Sequence, residues 1–187
     1  MKPYLFIIDR DGTLIELVDY FGKEEDWIEH LKLNFPMLQL LKYMQKKYQS
    51  ETYIISNQQG VARGYFSCKR VEEINSYIDS KLNSKGIKIN EWNYCPDVDE
   101  SYASSHPEIS FDSRYIKERT KRKPSIEMVL DCLKKNKRRL EHFDRIFIFG
   151  DENVDSKLAK NLGGFFFDVN SKDYKQIKEL LYIMERK

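Results

Sequence analysis

Cysteine is scarce: Cys68, Cys95 and Cys132 are the only three in 187 residues, and no two of them form a Cys-x-x-Cys pair. An odd, scattered set argues against a disulfide framework and suits a reducing cytosol, so a cytoplasmic location is expected. Long apolar runs are missing too. None approaches the ~20 residues that span a bilayer, and the N-terminus enters a strand-like segment without a signal-peptide layout. No membrane partner is expected. A net charge of +2, from 32 basic and 30 acidic residues, is too small to imply nucleic acid by itself. Glycine and proline are few, and no internal repeat or low-complexity segment interrupts the chain. With 41% hydrophobic and 33% charged residues, the composition is that of an ordinary soluble protein. Its length suits one domain, residues 1–187, with a real core. Twelve tyrosines and eleven phenylalanines are many, and read as core or groove lining.

The stretch Tyr4 to Thr13 organises the rest. Leu5, Phe6, Ile7 and Ile8 form a continuous apolar tract, the pattern of a strand covered on both faces. Asp9, Arg10, Asp11 and Gly12 end it abruptly. Two carboxylates two residues apart at the end of a buried strand call for a positive charge between them, and a divalent cation is one answer. An ordinary Asp-Gly turn is the other.

The same motif of buried strand running into polar residues recurs. Thr52 to Ile55 leads into Ser56-Asn57-Gln58-Gln59-Gly60, and Arg145 to Phe149 into Gly150-Asp151-Glu152-Asn153-Val154-Asp155. Glu91 to Tyr94 and Phe165 to Phe167 are shorter strand candidates. Between them lie amphipathic helices: one starting at Pro36 with Met37, Leu40, Leu41, Met44 and Tyr48, and one with Val71, Ile74, Ile78 and Leu82. A third starts at Pro124 with the stripe Ile126, Val129, Leu130 and Leu133. A fourth holds Leu158, Ala159 and Leu162, and a closing one Tyr174, Ile177, Leu181 and Met184. Residues 14–33 show no clear period; their Tyr20-Phe21-Gly22 is either a substrate entrance or a plain surface connection. Residues 95–122 form a long irregular loop. The basic run Lys134 to Arg139 complements a helix C-terminus rather than forming a nucleic-acid patch. His30, His106 and His142 have no partner pattern. Strand–helix alternation predicts an α/β fold: a three-layer sandwich around a mostly parallel sheet of about five or six strands. Its ligand edge lies at the strands' carboxyl ends. That edge collects Asp9, Asp11, Ser56, Asn57, Lys123 and Asp151, an inventory suited to phosphoryl transfer.

Asp9 to Thr13 (DRDGT), Ser56 to Gly60 (SNQQG), Arg122 to Pro124 (RKP) and Gly150 to Asp155 (GDENVD) resemble, in order, the four motifs of the haloacid dehalogenase (HAD) superfamily of phosphatases. The wording is closest to the branch acting on heptose bisphosphates and histidinol phosphate, with Asn57 to Gly64 and Cys95-Pro96 shared as well. The resemblance implies a Rossmann-like HAD sheet without a large cap domain. It implies that Asp9 is the nucleophile and Asp11 the general acid and base. Ser56 and Lys123 would hold the transferring phosphoryl group. Asn57, Gln58, Gly60 and Arg122 would contact substrate. Asp9, the Asp11 backbone carbonyl and Asp151 would bind Mg²⁺, with Asp155 supporting the cluster. The implied function is Mg²⁺-dependent hydrolysis of a small phosphorylated metabolite through a phospho-aspartate, a heptose bisphosphate being preferred. Histidinol phosphate, a 3′-phosphorylated polynucleotide, and a non-catalytic binding module are the alternatives, with nucleic acid the unfavoured partner. The branch's zinc loop is incomplete: Asp97 stands where its His would be, and no Cys pair precedes Arg122. No zinc is therefore expected. Glu152 also departs from the usual motif. Nothing in the sequence speaks to oligomeric state.

Overall fold

Along the first strand, Tyr4, Phe6 and Ile8 join one apolar cluster and Leu5 and Ile7 another, and all five are buried. A strand apolar on both faces must be covered on both faces, and this sets the architecture. The computed structural model describes residues 2–170 and Tyr182. In chain order its elements are β1 (Tyr4–Ile8), α1 (Trp27–His30), α2 (Phe35–Lys47), β2 (Ser50–Asn57), α3 (Cys68–Ser84) and β3 (Glu91–Cys95). They continue with β4 (Val98–Asp99), α4 (Glu100–Ser105), β5 (Ile116–Lys117), α5 (Glu127–Lys135), β6 (Ile146–Gly150), α6 (Asn153–Leu162) and β7 (Phe165–Asp168).

The main sheet has five strands in the order β3-β2-β1-β6-β7, every neighbouring pair parallel. Helices α2 and α3 cover the Phe6 face through Leu38, Leu41, Ile74 and Ile78. Helices α5 and α6 cover the Leu5 face through Val129, Leu133, Leu158 and Leu162. The fold is thus a three-layer α/β sandwich, and among the described residues no large cap is inserted. Many of the aromatics are core: Phe6, Phe147 and Phe149 pack together, and Phe149 stacks on Phe167 at 5.6 Å.

The caps follow the sequence. Asn34 accepts from Met37 N at 3.4 Å ahead of Pro36, and Ser67 accepts from Arg70 N at 3.2 Å. Helix α6 stops where Gly163 turns left-handed at φ 66°. The helix expected from Pro124 instead starts at Glu127. Lys123 and Pro124 are taken out of it by long-range bonds: Lys123 N donates to Asn57 Oδ1 at 2.8 Å, and Asn161 Nδ2 donates to Pro124 O at 2.9 Å. The buried stripe shifts with the start, to Met128, Val129, Cys132 and Leu133, and leaves Leu130 exposed.

Residues 95–122, expected as irregular, carry a two-stranded parallel ladder, β4 on β5, and the short helix α4. Strands of two residues are too short to leave a periodic signal. Asp112 N donates to Ala62 O at 2.8 Å and Thr120 Oγ1 to Asp99 Oδ1 at 3.0 Å, tying the segment down. The closing helix expected around Tyr174, Ile177, Leu181 and Met184 lies outside the described residues.

Candidate active site

The strand order reverses between β1 and β6, and a crevice opens at such a point beyond the strands' carboxyl ends. Both strands end in acid there. Asp9 follows β1 and is 9% exposed; Asp151 follows β6. Asp155, in the first turn of α6, points back beneath them and is buried. One oxygen from each of Asp9, Asp151 and Asp155 lies within 4.8 Å of the others, the one such group of ion-holding side chains among the described residues.

Two glycines let the backbone close on these acids. At Gly12, where φ is +77°, a Cβ would stand 2.1 Å from Asp151 Oδ2. At Gly150 a Cβ would meet the Asp155 carboxyl at 2.4 Å. Thr13 Oγ1 donates to Asp151 Oδ1 at 3.3 Å, bracing the two strand ends.

Lys123 enters from the other side of the sheet edge and is 3% exposed. Its Nζ lies 2.8 Å from Asp9 Oδ1 and 2.7 Å from Asp155 Oδ1. Three carboxylates around one ammonium leave the cluster short of two positive charges, which is the charge of one divalent cation. The carboxylate donor set is of the hard type that magnesium prefers, so the residues present fit that ion.

The electrostatics record the shortfall. Burial, opposed by Lys123 and reinforced by Asp155, pushes the Asp9 carboxyl up to about 7. Burial and the neighbouring Asp155 and Glu152 also raise Asp151. Lys123 is raised because Asp9 and Asp155 outweigh the burial that alone would lower it. A carboxyl raised on folding stabilises the fold at low pH and loses that contribution as pH climbs through its folded value. For Asp9 the window runs from 3.8 to about 7. Metal-free protein should therefore weaken across it, by on the order of a few kcal/mol. A divalent cation should restore the loss, so that Mg²⁺ raises the melting temperature more at about pH 8 than at about pH 5. Thermal melts at both pH values, with Mg²⁺ and with chelator, check this; equal shifts would contradict it.

The other expected site residues divide. Ser56 is buried, its Oγ accepting from Gln58 Nε2 at 2.6 Å. Asn57 straps Lys123 in both directions, accepting from its N–H at 2.8 Å and donating to its carbonyl at 3.3 Å. Gln58 is turned inward: its Nε2 also donates to Asp11 Oδ2 at 2.6 Å, and its Oε1 accepts from Arg10. Gly60 makes room for Phe66, whose ring would lie 2.4 Å from a Cβ there. Asp11, Asn57, Gln58 and Gly60 all line a cleft of about 360 Å³, shared with Tyr20, Phe21 and the exposed Glu152. Arg122 stands apart from that lining, half-buried, with an Nη1 that has no hydrogen-bond partner.

Two arginines escaped the sequence reading. Arg10, between the two acids, is buried at 1% exposure. Arg63 ties Tyr20 of the cleft to the 95–122 segment, its guanidinium 5.2 Å from the Tyr20 ring and 5.6 Å from Phe111, with Nη2 donating to Tyr102 at 3.2 Å. Tyr20 itself holds a left-handed φ of 47°. Both lie inside the motifs quoted above, which gave them no role; apart from Asp11 beside Arg10, these partners come from distant segments.

No protein-family model matches the chain. It is 30% identical to the D-glycero-β-D-manno-heptose-1,7-bisphosphate 7-phosphatase of Rhodopseudomonas palustris over 189 residues, 99% of this chain and 93% of that one. It is 30% identical to the α-anomer enzyme of Photorhabdus laumondii subsp. laumondii over 87% of this chain and 79% of that one. Among solved structures it resembles the D,D-heptose 1,7-bisphosphate phosphatase of B. bronchiseptica, complexed with magnesium and phosphate. That match has a TM-score of 0.66 at 21% identity and covers 96% of this chain and 87% of the other, a likeness of fold.

Proposed function

The chain belongs to the haloacid dehalogenase superfamily of phosphatases and is a phosphomonoester hydrolase, and from that premise we propose that it hydrolyses a sugar bisphosphate, a heptose bisphosphate first, through a phospho-Asp9 intermediate with Mg²⁺ bound. The observation that carries the reading is the cluster of Asp9, Asp151 and Asp155, whose two buried members bond Lys123 and which is two positive charges short. Asp9, Asp151 and the Asp11 backbone carbonyl would hold the ion, with Asp155 behind them. Bound there, Mg²⁺ supplies charge neutralisation for the phosphoryl oxygens.

The chain's own residues do the rest. Arg10 N and Lys123 Nζ both lie on Asp9 Oδ1, at 2.8 Å each, which makes Oδ2 the nucleophilic atom. Oδ2 bonds to phosphorus as the bond to the leaving oxygen breaks, and Asp11 gives that oxygen a proton. Asp11 then takes a proton from water, whose oxygen displaces Asp9 and releases phosphate. Lys123 and Ser56 hold the transferring group. The cleft's aromatic Tyr20, Phe21 and Phe66 and its polar Asn57 and Gln59 suit a hydroxyl-rich body. The reading is of a cytoplasmic enzyme, in keeping with three free thiols, and it uses no zinc.

A screen of phosphate release over sugar bisphosphates, amino-alcohol phosphates including histidinol phosphate, nucleotides and 3′-phosphorylated oligonucleotides tests the reading. A sugar bisphosphate should give the highest kcat/KM, lost with chelator and regained with Mg²⁺. Preference for another class would move the substrate. Inertness toward all of them, and toward an aryl phosphate, would favour a binding module. Zinc at one equivalent in the purified protein would contradict the metal assignment.

A further inference from the structure

We propose that Arg10 is the positioning residue for the leaving-group proton: with Gln58 it clamps Asp11 so that Oδ1 alone remains to carry that proton. The proposal rests on the reading of Asp11 as general acid and base.

The geometry is a closed set of hydrogen bonds. Arg10 Nε donates to Asp11 Oδ1 at 3.1 Å, and Arg10 Nη2 to Asp11 Oδ2 at 2.9 Å. Gln58 Nε2 adds a second donor to Oδ2 at 2.6 Å. A carboxylate oxygen has two lone-pair positions. On Oδ2 both are filled; on Oδ1 one is filled and one is vacant. Asp11 lines the cleft and its side chain is 25% exposed, so the vacant position can be reached from there.

The clamp is itself held. Arg10 Nη2 also donates to Gln58 Oε1 at 2.8 Å, and Nη1 to Asn75 Oδ1 on α3 at 3.0 Å. Gln58 Nε2 reaches Ser56 Oγ at 2.6 Å, joining the clamp to the residue placed on the phosphoryl group. A guanidinium fork presents its donors in one rigid plane, so a carboxylate held bidentately cannot rotate about its own bond. In the first half of the reaction the leaving oxygen takes its proton from Oδ1 as its bond to phosphorus breaks. In the second half Oδ1 takes a proton from the attacking water as the bond between Asp9 and phosphorus breaks. One fixed oxygen serves both halves.

A buried Arg–Asp pair that served only the fold would slow all substrates together. A clamp that aims a proton has a different signature, because an aryl phosphate expels its phenolate without help and an alkyl phosphate does not. The experiment compares kcat/KM for 4-nitrophenyl phosphate and glycerol 1-phosphate, each relative to the wild type, in Mg²⁺. Asp11→Asn should raise the aryl-to-alkyl ratio by about 100-fold or more. Arg10→Lys and Gln58→Met should raise it by about 10-fold or more, the loss falling on the alkyl ester. Asn75→Ala, which removes only the far anchor, should raise it less, in the same direction.

If Asp11→Asn raises the ratio but the clamp variants do not, the clamp is overturned and the role of Asp11 stands. If Asp11→Asn leaves the ratio unchanged, both fall. Should Arg10→Lys fail to fold, Gln58→Met and Asn75→Ala decide the matter by the same ratio.

Discussion

Asp9→Asn should lower phosphate release by at least about 10⁴-fold and, in metal-free buffer above neutral pH, leave the protein as stable as the wild type or more so. The two effects share one cause. The Asp9 carboxylate is buried with Lys123 as its nearest cation, and burial, with Asp155 beside it, pushes its carboxyl up to about 7. Ionising it in that place costs free energy, and on the proposed mechanism the charge it carries is the nucleophile's. An amide of the same shape can still accept from Arg10 N and Lys123 Nζ, the two donors on Oδ1. It needs no counter-charge and cannot form an acyl phosphate. Stability and activity therefore move in opposite directions, as at other sites where function is held against the fold's preference. Phosphate release and melting temperature in chelator, measured on the same preparations, check both. Residual turnover within tenfold of the wild type would remove Asp9 from the nucleophile's role.

The second large effect is at Lys123. Replacing it by Met keeps the volume and removes the ammonium 2.8 Å from Asp9 and 2.7 Å from Asp155. The carboxylates are then left buried without compensation, which should cost about 3–5 kcal/mol near neutral pH. The loss should be smaller in mild acid, where Asp9 takes up a proton below its raised value. It should also shrink when Mg²⁺ is added, because a cation held by this cluster would neutralise the same carboxylates. Activity should not recover with it. On the proposed mechanism the charge that offsets the phosphoryl oxygens is gone, a loss of about 10²–10³ in kcat. Urea unfolding at two pH values, with and without Mg²⁺, separates the terms. Unaltered stability at neutral pH in chelator would mean that Lys123 is not compensating the cluster.

Much of this site is legible along the chain because its chemistry is concentrated at strand ends. A buried apolar run leaves a periodic trace, and an acid placed directly after it has no reason to be there unless something holds it. Asp9 and Asp151 are visible for that reason, and they do meet, although they stand on strands separated by most of the chain. Lys123 is harder to see. Its basic neighbours suggest a solvated loop, and its place just before Pro124 and the resemblance speak for the site; it is 3% exposed. Gln58 shows a further limit. Its position beside the cleft was expected, but not that its amide would serve Asp11, Ser56 and Arg10.

The order of residues alone sets the alternation of strand and helix, the covered sheet, and the strand ends at which charge collects. These follow from short-range periodicity and from the cost of burying acid. How the buried polar groups find their distant partners is settled by folding. Arg10 pairs with its neighbour Asp11, but its remaining donors are satisfied by Gln58 and Asn75, 48 and 65 residues further on, and Asp155 joins the cluster because Lys123 reaches it from 32 residues away. A buried charge is tolerated only where its partners are brought within hydrogen-bond reach, and that reach is a property of the folded chain, not of the order of its residues.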